Sequence, residues 1–150
     1  MRQLNLPAYE FKTIKKKDKT WIFDPFRKGY FVLTPEEWVR QHFLMWLTKS
    51  LGYPEGLTAV ETSLKYNTLQ MRADVVIYNR MGKPLMIIEC KAPHVQITEA
   101  TLEQAARYNY SFKTQYLALT NGMKHYCCRI DLNEKKLIYL ETFPHFDEIS

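Results

Sequence analysis

Three residues concentrate the chemistry this sequence can do. Asp74 lies in the apolar run Ala73-Asp74-Val75-Val76-Ile77-Tyr78, and Glu89 and Lys91 close the run Leu85-Met86-Ile87-Ile88-Glu89-Cys90-Lys91. Residues 79–84 join the two runs, and a loop of about four residues closed by Asn79 and Pro84 predicts a hairpin. That register sets Asp74 opposite Glu89, with Cβ atoms about 4.5–5.5 Å apart. Two carboxylates at that spacing repel when both are ionised. A divalent cation, which takes several oxygen ligands at about 2.0–2.6 Å, resolves the repulsion. Lys91, two residues after Glu89, projects to the same face. An ammonium there can help position a water and offset charge developing on a phosphate. The same register sets Arg72 opposite Lys91, a like-charge pair that an intervening anion would relieve. The competing reading makes Asp74 a strand-entry residue and Glu89–Lys91 an exposed ion pair, and a slip of one residue would undo the arrangement. All three residues fall on one face at strand ends beside apolar runs, which favours the chemical reading.

These residues need a sheet, and the rest of the chain supplies the elements to cover it. Thr34-Pro35-Glu36-Glu37 predicts a helix start, with Thr34 as N-cap, Pro35 in the first turn and Glu37 completing a capping box. Val39, Phe43, Trp46, Leu47 and Ser50 recur at helical spacing, and Gly52-Tyr53-Pro54 stops the helix. Residues 57–64 read as a strand. A second helix runs from a cap at Thr98 to about Phe112, with Leu102, Ala105, Ala106 and Asn109 as its packed stripe. Gln104 and Tyr108, four apart, share a face beside that stripe. Strands at 115–120, 123–130 and 137–140 finish the chain, with Asn121-Gly122 as a turn signal. Two short strands at 21–23 and 30–33 precede the first helix. Both hairpin strands are almost continuously apolar, as in sheets covered on both faces. The pattern predicts an α/β or α+β layer fold with a central sheet flanked by helices.

Composition sets the bounds. The chain has 150 residues, 46% of them hydrophobic, which suits one compact domain over residues 1–150. The formal charge is +5 and the sequence pI is about 9.0, compatible with a polyanionic partner but not diagnostic of one. The run Lys15-Lys16-Lys17-Asp18-Lys19 reads either as a basic arm within residues 1–20 or as a solvated turn, the second being commoner for short charge runs. No apolar segment is long enough to span a membrane, and no signal peptide is evident, so a cytoplasmic location without membrane attachment is expected. Cys90, Cys127 and Cys128 lack disulfide or zinc spacing and read as buried strand thiols, the adjacent pair facing opposite sides. His42, His94, His125 and His145 show no metal-ligand spacing. His42 reads as packing or surface, and His94 follows the catalytic-type strand closely enough to approach a ligand there.

The motifs also carry a family resemblance. Arg72-Ala73-Asp74-Val75-Val76, Ile88-Glu89-Cys90-Lys91-Ala92-Pro93, Gln104-Ala105-Ala106-Arg107-Tyr108-Asn109 and Leu119-Thr120-Asn121-Gly122 occur in that order. Together they resemble the N-terminal nuclease domain of type I restriction enzyme R subunits, a branch of the restriction-endonuclease-like D…(D/E)xK superfamily. The resemblance runs from about Thr34 to Tyr126. It implies a restriction-endonuclease-like core with a mixed sheet, DNA as substrate and Mg²⁺, with Mn²⁺ as a substitute, on Asp74 and Glu89. It implies that Lys91 assists the attacking water and that Gln104 and Tyr108 organise DNA; the hairpin register, separately, offers Arg72 as a phosphate contact. Such folds often add a first-helix carboxylate. Glu36 and Glu37 compete for that role, and Glu36, which projects nearer the apolar stripe, is preferred as the third metal ligand. Glu61 is a further candidate, more simply a surface residue. The family's R subunits continue into a helicase-like motor, whereas these 150 residues contain no G-x-x-x-x-G-K-[ST] loop. Coupling to ATP would then require a motor or other restriction subunits as partners. A metal-dependent endonuclease, a catalytically silent DNA-binding or assembly module, and a protein–protein adaptor remain open on the sequence alone.

Overall fold

The structure, a computed structural model, describes all of residues 1–150. The chain folds as β1 (Thr13–Lys16), β2 (Lys19–Asp24), β3 (Gly29–Val32), α1 (Pro35–Ser50), β4 (Thr58–Tyr66), β5 (Leu69–Tyr78), β6 (Pro84–Cys90), α2 (Glu99–Tyr110), β7 (Tyr116–Thr120), β8 (His125–Asp131), β9 (Lys136–Tyr139) and α3 (Phe146–Ile149). The first three strands form a small antiparallel sheet. The other six form one mixed sheet in the order β4-β5-β6-β7-β8-β9. Only β6 and β7 are parallel, because α2 makes the crossover that a parallel pair requires. This is the mixed, layered α+β sheet that the sequence pattern predicts.

The basic run is a hairpin. Lys15 and Lys16 lie on β1, and Lys17 and Asp18 make the turn with φ of 52° and 62°. Both turn residues are left-handed, as the tight turns that match strand twist require.

Helix α1 covers one face of the large sheet. Thr34 caps it by accepting the Glu37 N–H at 3.0 Å. The expected reciprocal contact from Glu37 is absent, because the Glu37 side chain turns inward to Arg27 and Arg40. Val39, Phe43 and Leu47 are fully buried, as their spacing predicts, with Leu44 beside them. They pack on Val75, Ile77, Met86, Ile88 and Ala118 in the main core. Helix α2 covers the opposite face with Leu102 and Ala106 on Leu117, Leu119, Cys128 and Ile130. Thr98 and Thr101 cap each other's backbone at its start. Cys127 and Cys128 join different cores, and all three cysteines are free and buried.

Two local features decide where the charged residues of the hairpin lie. The β5–β6 connection is tighter than predicted: the Asn79 N–H reaches the Lys83 carbonyl at 2.8 Å, and Gly82 takes a φ of 78°. Tyr78 pairs with Pro84 but Ile77 pairs with Met86, so Leu85 is an extra bulged residue. The shorter loop and the bulge offset one another, and Val75 still pairs with Ile88. Across β4 and β5 the ladder pairs Thr62 with Ala73 and Val60 with Val75 but omits the step between them. At that step Glu61 has a φ of 50°. Met71 and Ala73 pack with Val76 and Ile87, while Val75 and Ile77 join the α1 core. Residues 73 and 75 would share a face in a regular strand, so the strand is wrung at Asp74.

Candidate active site

Asp74 occupies the point where β5 and β6 part. Its Oδ2 accepts the Cys90 N–H at 2.8 Å, taking the place of a ladder carbonyl. Beyond it the Lys91 N–H turns to the Thr120 carbonyl of β7 at 2.8 Å. The expected facing of Asp74 and Glu89 is one step past the last ladder pair, Val75 with Ile88, so the two strands splay there. Lys91 Nζ lies 3.8 Å from Glu89 Oε2, on the face predicted for it.

Two adjoining cavities collect the residues singled out from the sequence. The smaller, of about 200 Å³, is lined by Glu36, Arg72, Asp74, Glu89, Cys90 and Lys91. The larger, of about 730 Å³, is lined by Glu89, Lys91, Thr101, Gln104, Arg107 and Tyr108, with Ala105. Glu89 and Lys91 belong to both. Gln104 and Tyr108 thus project from α2 toward the same opening, and Tyr108 is exposed. His94 is exposed and lines neither cavity. His42 is buried, with Nδ1 2.8 Å from the Trp38 carbonyl.

The electrostatics at the smaller cavity are those of crowded carboxylates. Burial raises the Glu89 carboxyl above its ordinary range; Lys91 opposes the rise and Asp74 adds to it. Burial also raises Glu36, and Asp74 adds to that rise against Arg40 and Lys91. The Cys90 thiol, fully enclosed, is pushed well up by burial and by Asp74. It stays a neutral core thiol.

A buried guanidinium underlies this cluster. Arg40 of α1 is 4% exposed. Its Nη1 donates to Glu37 Oε1 at 2.7 Å. Its Nη2 lies 2.8 Å from Glu61 Oε1, 3.1 Å from Glu36 Oε1 and 3.4 Å from Asp74 Oδ1. Burial works against its charge, but the carboxylates of Glu37, Asp74 and Glu61 outweigh that and hold it charged. Glu37 also accepts from Arg27 Nη2 at 2.7 Å, and Arg27 Nε donates to Asp24 at 2.6 Å. An unbroken chain of ion pairs therefore joins the small sheet to Asp74.

This network corrects three expectations. Glu37 is not a solvent-side cap but a buried partner of two arginines. Glu61 is not a simple surface residue, since it bridges Arg40 and Arg72. Arg72 needs no anion to relieve it, because Glu61 pairs with it at 3.0 Å and the strands have parted before it can face Lys91. Arg40 itself went unread. Its spacing to Glu36 and Glu37 is the ordinary helix-surface pairing, and nothing local marks it as buried.

The donor set suits a hard cation. Asp74, Glu89 and Glu36 offer carboxylate oxygens around one small cavity, and their mutual repulsion is what a divalent cation would relieve. No group of three or more His, Cys, Asp or Glu side chains is assembled to hold a metal ion. Mg²⁺ is commonly held by one or two carboxylates, with water and substrate phosphate filling the rest. The residues present therefore fit Mg²⁺ in type and charge, with Asp74 and Glu89 as the pair closest to that pattern.

Comparison with known proteins agrees with the motif order. Residues 35–144 match the family model described as type I restriction enzyme R protein N terminus (HSDR_N). No curated protein matches the sequence. Among solved structures, a fragment titled as an HsdR subunit of a type I restriction enzyme from Vibrio vulnificus YJ016 superposes with a TM-score of 0.54 at 19% identity. The match covers 78% of this chain and 24% of that one, so this chain spans about a quarter of its length. At that identity the likeness establishes a shared fold. The family match extends over most of the chain and includes every element that builds the two cavities, from α1 through β9. The chain belongs to the family of type I restriction enzyme R protein N termini.

Proposed function

We propose that this domain is a metal-dependent endonuclease that hydrolyses DNA phosphodiester bonds at the Asp74–Glu89–Lys91 centre. The observation that carries the reading is the shared cavity. Glu36, Asp74, Glu89 and Lys91, from α1, β5 and the end of β6, line one small opening. It shares Glu89 and Lys91 with the larger cavity that Gln104 and Tyr108 line. Mg²⁺, with Mn²⁺ as a substitute, would be held by Asp74 and Glu89, with Glu36 at the rim. A bound divalent cation polarises a phosphoryl oxygen and lowers the pKa of its water. Lys91 holds its ammonium beside Glu89, where it orients the attacking water and offsets charge on the phosphate. Gln104 and Tyr108 offer an amide and an aromatic face to the nucleic acid, and Arg72, largely exposed, a guanidinium to the backbone phosphates. Family membership supports DNA and other restriction subunits as partners. The DNA site would lie along the two cavities.

A second reading has its own observation. Asp74 is engaged by Arg40 and by the Cys90 N–H, and no three-residue metal group is assembled. Those contacts favour a DNA-binding or assembly module that keeps the fold without turnover.

Incubation of the purified chain with plasmid and linear duplex, with Mg²⁺ or Mn²⁺, separates the two. Cleavage by the wild type that disappears in Asp74→Ala supports the endonuclease. Equal behaviour of the two proteins removes the catalytic claim. A salt-dependent gel shift without cleavage then supports the binding module.

A further inference from the structure

Arg40 takes no part in the reaction proposed above, yet it is the most enclosed charge at the site. One of its amino groups, Nη2, meets carboxylates from three elements: Glu61 of β4, Glu36 of α1 and Asp74 of β5. The contacts are graded. The tight ones, 2.7 Å to Glu37 and 2.8 Å to Glu61, go to residues that line neither cavity. The looser ones, 3.1 Å to Glu36 and 3.4 Å to Asp74, go to the two carboxylates that do line the smaller cavity.

The anchoring side is rigidly tied. Glu37 is shared with Arg27, and Arg27 is held by the fully buried Asp24. On this geometry, a turn of Asp74 toward another partner would leave the guanidinium on its two shorter contacts, Glu37 and Glu61. Its Nε is buried without an acceptor, so the carboxylates fix the head, and nothing else hydrogen-bonds it. A positive charge in this place keeps three carboxylates from driving one another apart.

We infer that Arg40 is a positioning residue that supplies a cation's charge at Asp74 and Glu36, and that a divalent cation displaces it from Asp74 Oδ1. This rests on the metal site proposed above. The fixed positive charge preserves the acidic centre and at the same time weakens cation binding to it, because like charges repel across a poorly solvated gap.

Titration calorimetry of the full chain with Mn²⁺ tests this on the wild type, Arg40→Met, Arg40→Lys and Asp74→Ala. Arg40→Met is expected to bind Mn²⁺ about tenfold or more tightly than the wild type, and Arg40→Lys, which keeps the charge, within about threefold of it. A purely architectural Arg40 predicts unchanged or weaker binding in folded Arg40→Met, and either result overturns the inference. Should Arg40→Met not fold, the Nε–H resonance of Arg40 in the wild type decides, assigned by its loss in Arg40→Lys. A shift on adding Mg²⁺ supports displacement. No shift while the Cys90 and Lys91 amides do move overturns it. If the wild type binds Mn²⁺ and Arg40→Met binds it equally, only the role of Arg40 fails. If neither the wild type nor Asp74→Ala responds to either cation, the metal site fails and this inference with it.

Discussion

Replacing Glu37 by Gln removes one charge from the middle of the buried ion-pair chain and changes little in shape. Glu37 Oε1 accepts from Arg27 and Arg40, both at 2.7 Å, and its Oε2 accepts from Gln41 Nε2 at 3.1 Å. Its side chain is 6% exposed and that of Arg40 is 5% exposed, so water cannot replace the lost partner. Deleting one member of a buried pair typically costs about 3–5 kcal/mol, because it leaves the other charge uncompensated. The Gln carbonyl still accepts one hydrogen bond, and Arg27 keeps Asp24, so the lower end, about 3 kcal/mol, is expected. For a domain of this size each kcal/mol shifts Tm by about 2–4 °C, giving a fall near 10 °C. Urea unfolding followed by circular dichroism measures the loss directly, and an unchanged slope confirms that the native state was the target. A double-mutant cycle with Arg27→Met should return a coupling of about 1–3 kcal/mol. A loss below about 1 kcal/mol in Glu37→Gln, with the slope unchanged, would refute the view that this chain of charges holds α1 to the small sheet.

Two further outcomes follow from the site. Lys91→Met should abolish cleavage by about 10²-fold or more while changing stability by less than about 0.5 kcal/mol, since Nζ is partly exposed and its contact to Glu89 is 3.8 Å; assays of turnover and of thermal melting on one preparation check both halves. Burial raises the Glu89 carboxyl in the folded state, so the unfolded chain ionises first as pH rises and the ionised carboxylate destabilises the fold above its folded pKa. Glu89→Gln should therefore be more stable than the wild type at neutral pH, and the difference should vanish as pH falls below the carboxylate range; a difference that is constant with pH, read from melts between pH 3 and 8 (roughly the range over which carboxylates and His titrate), contradicts the assignment.

Much of this protein can be read directly from its residues. Thr34 and Thr98 cap their helices because a side-chain oxygen next to orphan N–H groups is a local solution to a local need. The strand pairs β5–β6 and β7–β8 follow from apolar runs around turn residues, with Gly82 and Gly122 at positive φ. The register is as expected as far as Val75 and Ile88, one step short of Asp74 where the strands part, though by an offset: the loop is one residue shorter than expected, and the bulge at Leu85 restores the count. The local pattern fixes the face each strand buries, and burial of the apolar set is a stronger constraint on register than the turn is.

What only the tertiary structure decided is where the charges go. Helical spacing alone placed Glu37 toward solvent and left Arg40 unremarked, because i, i+3 and i, i+4 pairs look alike on a buried face and on an exposed one. Their burial depends on Arg27, ten residues before Glu37, and on Glu61 and Asp74, brought in from β4 and β5. The turn of Glu61 into positive φ has no sequence signature, since a glutamate does not favour that backbone by itself, and the break in alternation at Asp74 accompanies it across the strand pair. Residue types and periodicity determined the layered fold and the candidates Asp74, Glu89 and Lys91. The long-range meeting of α1, β4 and β5 determined that a guanidinium sits among the carboxylates, because pair energies at a buried site depend on partners distant in the chain and on the water that packing excludes.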